Sequence, residues 1–131
     1  MTYEDIGKIQ DFNNRFPGLE FDWFALDAEG SIGLFSTAGF GPVPTNVQLH
    51  FRSHDQTARL FDLYELEKCG RYGLFVFDWQ HWQGPYLKME QPRSPVAISF
   101  KQHILQIPSL PIFNMVFASV ESIVVEESDK L

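Results

Sequence analysis

Four histidines, one cysteine and a few glycine- or acid-flanked turns are the places where this chain could build a reactive site. His50-Phe-Arg-Ser-His54 has the i, i+4 spacing that would set two imidazoles together on a helix, as a metal pair needs. A capping signal at Ser53 separates the two, and the glutamate of a zinc-protease HExxH motif is missing, so surface or hydrogen-bonded histidines are expected and no metal site. Asp27-Ala-Glu-Gly-Ser31 opens like a calcium loop. Counting from Asp27, however, puts Ile32 and Ala38 where that loop requires a glycine and a bidentate carboxylate. Gly39-Phe-Gly41 echoes a phosphate loop, but Pro42 and Pro44 remove two amide donors; a tight turn that packs Phe40 onto the domain is the expected role. Cys69 falls at the end of a predicted helix, where the dipole disfavours a thiolate. Asp78 and His81 are close enough in sequence to meet, yet no serine or cysteine signature such as GxSxG accompanies them. No cofactor is implied.

The composition narrows the function classes further. A chain of 131 residues has the length of one domain, expected over 1–131, and 44% hydrophobic residues are enough for a packed core. Its 17 acidic and 10 basic residues leave a net charge of -7, which repels phosphate backbones, so no nucleic-acid partner is expected. The 13 Phe, 4 Tyr and 3 Trp could stack bases, but a stacking platform needs a cationic groove. The lone cysteine and the absence of a basic, then apolar, leader point to the cytoplasm. Pro108, Pro111, Asn114 and Glu121 interrupt the longest apolar stretch, so no membrane span is expected.

Residues 2–16 have helical spacing, with Thr2 as cap, Glu4 and Asp5 in the first turn and Pro17-Gly18 as a stop. Residues 20–36 read as a hairpin with Gly30 in the left-handed position of its turn. Phe21, Trp23 and Ala25 alternate there against Phe24 and Leu26, a two-sided pattern expected of interior strands. Residues 37–44, with two glycines and two prolines, form a loop. Ser53-His-Asp-Gln56 matches a capping box and predicts a helix over 54–68, closed by Gly70. Its polar arc would hold Asp55, Arg59, Asp62 and Glu65. Arg71 to Gln80 reads as another interior strand, Tyr86 to Glu90 and Val96 to Phe100 as short extended segments, and Ser119 to Glu127 as a last strand. Residues 101–118 show no regular pattern. The expectation is a single α+β domain, a mixed or antiparallel sheet of five or six strands packed by two helices.

Two surface features point to a partner. Asp55, Asp62 and Glu65 would form an acidic ridge suited to a basic protein, because opposite charge speeds encounter and stabilises contact. Trp82 and Tyr86, beside Gly84-Pro85, are candidate aromatic anchors. The segment Asp22-Trp-Phe-Ala-Leu-Asp-Ala-Glu-Gly-Ser-Ile-Gly-Leu-Phe-Ser-Thr-Ala-Gly-Phe-Gly-Pro-Val-Pro44 resembles the opening hairpin and loop of small bacterial immunity proteins of polymorphic-toxin and contact-dependent inhibition systems. That resemblance implies a cytoplasmic, non-enzymatic protein that binds a cognate, basic toxin domain and masks its active site. The alternative is a small enzyme or ligand-binding domain built on the Gly39–Pro44 loop with Asp78 and His81.

Overall fold

Apolar side chains on both parities of three short segments produce a sheet buried from two sides. The computed structural model describes residues 1–63 and 66–126, in which β1 (Asp22–Leu26) and β2 (Ile32–Ser36) form the expected hairpin. β2 pairs in parallel with β3 (Phe75–Trp79); β3 pairs antiparallel with β4 (Tyr86–Glu90), and β4 with the two-residue β5 (Ser122–Ile123). The sheet is thus mixed, curled and five-stranded in the order β1-β2-β3-β4-β5, within an α+β fold. A parallel pair cannot be joined by a tight turn. The crossover between β2 and β3 runs through α2 (Thr45–Leu49), α3 (Phe51–Leu60) and α4 (Leu66–Arg71).

The alternation read from sequence sorts the strands correctly onto two cores. Trp23, Phe35 and Phe77 lie opposite one another in register and stack, with ring centroids 4.3 and 5.0 Å apart. Phe12 from α1 (Tyr3–Arg15), Val47, Phe113 and Phe117 close this core. On the opposite face, Phe24, Leu34 and Val76 pack under Ala58, Cys69 and two residues of α5 (Ile98–Leu105), Phe100 and Ile104. α1 begins as expected. The Thr2 hydroxyl accepts from the Asp5 amide at 3.0 Å and the Asp5 carboxylate accepts in return from the Thr2 amide. The hairpin turn is held by Asp27, whose carboxylate accepts from the amides of Glu29, Ser31 and, from far along the chain, Phe117 at 2.8 to 2.9 Å.

Several local expectations need correction. Five α-helices are present among the described residues rather than two, and the helix expected over 54–68 is not continuous. α3 starts at Phe51, so Ser53 lies inside it instead of capping it. Its end is a Schellman turn: the Asp62 amide donates to Arg59 and the Leu63 amide to Ala58, both at 3.1 Å, with Asp62 at φ 53°. Burial of Leu63 beside Ala58 favours this stop over another helical turn. α2 directly follows the Pro42 and Pro44 loop, and α5 begins within the Val96 to Phe100 segment. The final strand shrinks to β5.

β1, despite its interior pattern, is an edge strand whose open side is sealed by other means. The Phe24 amide donates to Nδ1 of His54 at 3.0 Å, the Leu26 amide to the Pro111 carbonyl at 2.9 Å, and the Phe113 amide back to Leu26 at 2.9 Å. Residues 101–118, unpatterned in sequence, supply the rest of this seal through Pro111 and Phe113 and begin the 3-10 turn Phe117–Ser119. No helix among the described residues is long and apolar enough to cross a membrane.

Candidate functional site

The acidic ridge does not assemble. Asp55 is ion-paired with Arg59 at 2.9 Å on α3, whereas Asp62 lies beyond the end of that helix and pairs with Lys68 at 2.9 Å. Glu65 lies outside the described residues. The aromatic anchors also separate. Trp82 is 84% exposed, but Tyr86 is fully buried as the first residue of β4. Its hydroxyl donates to the Pro42 carbonyl at 2.9 Å and accepts from Nε1 of Trp23 at 3.4 Å, and burial pushes its ionisation well up from the ordinary phenol value.

Tyr86 instead braces one end of the sheet. The parallel strands β2 and β3 both finish there, and their antiparallel neighbours β1 and β4 both begin there, so residues 17–22, 36–44 and 78–86 meet. Loops at the carboxyl ends of parallel strands are where open sheets commonly present functional groups. The 37–44 loop is rigidly held by Thr37. Its hydroxyl accepts from the amides of Phe21 and Gly39, while its carbonyl accepts from Phe40 at 3.0 Å and Gly41 at 2.8 Å. Gly39, at φ 83°, abuts the Gly18 carbonyl, and a Cβ on Gly41 would stand 2.5 Å from the Tyr86 hydroxyl. The three amides that a phosphate would need are therefore engaged within the loop. Phe40 does not pack onto the domain as expected, because the turn that absorbs those amides leaves its ring 78% exposed.

Acidic groups gather at the same end. Asp22, Ser36 and Asp78 occupy one row across β1, β2 and β3, and the Ser36 hydroxyl donates to Asp22 at 2.7 Å. Burial, a hydrogen bond with Glu20 and the nearby charges of Glu20 and Asp78 push Asp22 up to about 8. Asp22 therefore holds its proton more strongly than an ordinary carboxyl, with the exposed Glu20 side chain beside it. Burial also raises Asp78, which accepts from the Gln80 side chain. Among the described residues, Asp78 and the exposed His81 are not hydrogen-bonded to each other, so they form no acid–base pair.

No family model, curated protein or solved structure matches this chain. The remaining reactive groups are structural. Burial pushes the Cys69 thiol up to about 12, leaving it protonated and a poor nucleophile. His54 is completely buried as the acceptor for Phe24, with its pKa pushed down to about 3. Among the described residues there is no group of three ligand side chains that could hold a metal ion. The sheet end presents two exposed rings, Phe40 and Trp82, together with the carboxyl groups of Glu20, Asp22 and Asp78. Sequence reasoning reached Trp82, Asp78 and His81, but missed Phe40, Glu20 and Asp22. The only sequence signal for Phe40 was the Gly-Pro density around it, which marks a loop without saying which way its ring turns.

Proposed function

We propose that this chain is an immunity protein: it binds a bacterial toxin domain in the cytoplasm, one to one, and masks the toxin's active site without turnover. The observation that carries this reading lies in residues 22–44, the segment that resembles immunity proteins. They fold into a hairpin and a braced loop that holds Phe40 exposed at the same end of the sheet as Trp82. Exposed rings on loops contribute little to the fold, and aromatic residues, Trp above all, are enriched at protein interfaces and among the side chains that dominate their binding energy. The net charge of -7 adds long-range attraction to a basic toxin surface.

Co-expression with the variable C-terminal domain of a neighbouring toxin reading frame tests the reading. The chain should restore growth and travel with that domain as a one-to-one complex on sizing. Continued killing at equal expression would overturn it.

A further inference from the structure

The charge of the described acids is unevenly matched. Glu4, Asp11, Asp55, Asp62, Glu90 and Glu121 each stand 2.9 to 3.9 Å from a Lys or Arg of the same chain. Asp27 is neutralised differently, by three backbone amides, and Glu29, in the hairpin turn at the other end of the sheet, is a single exposed acid with no Lys or Arg at ion-pair distance among the described residues. At the sheet end, by contrast, residues 17–22, 36–44 and 78–86 contain no Lys or Arg at all, and neither Glu20 nor Asp78 meets one among the described residues. The surface there combines unmatched negative charge with the Phe40 and Trp82 rings, and Leu19, also exposed, adds apolar area beside Gly39 and Phe40 along the same groove.

Building on the reading of the chain as a binding protein, we propose that its partner docks on this end of the sheet: Phe40 and Trp82 anchor it, and it presents a Lys or Arg side chain to Glu20 and Asp78. A cation held between an aromatic face and a carboxylate gains from both, and the apolar rims exclude the water that would weaken the pair. The acids of α3 and its following turn, already paired within the chain, take no part.

The test is titration of the full chain with the neighbouring toxin domain, using variants whose altered side chains are exposed or half-exposed, with thermal melts confirming that each one folds. Phe40→Ala and Trp82→Ala should each weaken binding about tenfold or more, and the double variant about a hundredfold. Glu20→Gln with Asp78→Asn should flatten the salt dependence of the association rate, whereas Asp55→Asn with Asp62→Asn should change affinity less than about threefold. If the double aromatic variant binds within about threefold of wild type, the docking site is wrong while the immunity reading stands. An unchanged salt dependence in the Glu20/Asp78 variant removes the cationic side chain from the proposal. Failure of the wild-type chain to bind the domain overturns the inference together with the reading.

Discussion

His54 sits on α3 with its Nδ1 accepting the Phe24 amide proton, so the neutral ring must carry its own proton on Nε2, a buried atom with no acceptor among the described residues. An unfolded imidazole takes up a proton near 6.5, the folded one only near 3. The stability contributed by neutral His54 is therefore complete above about pH 6.5 and is lost as pH falls through that window, at up to about 1.4 kcal/mol per pH unit. Asp22 has the opposite sign. Its unfolded form ionises near 3.8 and its folded form near 8, so its contribution is complete below 3.8 and is lost as pH rises. Between about pH 4 and 6.5 the two slopes oppose each other. Urea unfolding over that range should show stability rising with pH in Asp22→Asn, falling in His54→Asn, and flatter in wild type than in either. Parallel profiles for all three would refute these assignments. Neither residue's state was legible in sequence, because burial and the position of a distant amide decide both.

At the scale of elements, the pieces whose signals are local were readable and those that depend on distant contacts were not. Thr2 and Asp5 satisfy each other three residues apart, so the start of α1 follows from the sequence around it. The end of α3 depends on Leu63 reaching a core assembled from β2, β3 and α5, and Asp62 rather than a glycine takes the left-handed position. The 37–44 loop depends likewise on Tyr86, forty-odd residues away. Tyr86→Phe removes the bonds to Pro42 and Trp23 and leaves the buried Trp23 indole N–H and the half-buried Pro42 carbonyl unsatisfied, an expected loss of about 1–3 kcal/mol in chemical denaturation. Amide exchange should also quicken at Gly39 to Gly41 more than at α5. Uniform acceleration across the chain would mean that the hydroxyl does not specifically brace the loop.

For the whole molecule, a net charge of -7 says only that basic surfaces are attracted; the fold shows which acids are already paired within the chain. Ion pairs within the chain neutralise the α3 acids and leave the sheet end unmatched. If the partner is the proposed toxin domain, association should slow by about tenfold as salt rises from about 50 to 500 mM, as screening shortens the reach of that field. A rate independent of salt would mean that charge does not guide the encounter. The α+β class, the hairpin, the two-sided strands and the position of the loop at 37–44, though not its shape, were set by sequence alone, because period-two alternation, a glycine at a turn and prolines in a loop act through neighbouring residues. Tertiary structure decided that β1 is an edge sealed by a histidine, that Tyr86 is buried while Phe40 is exposed, and that the acids of α3 are internally paired. Each of these turns on which groups meet across the folded chain, and burial or exposure at such meetings has no counterpart in the order of residues.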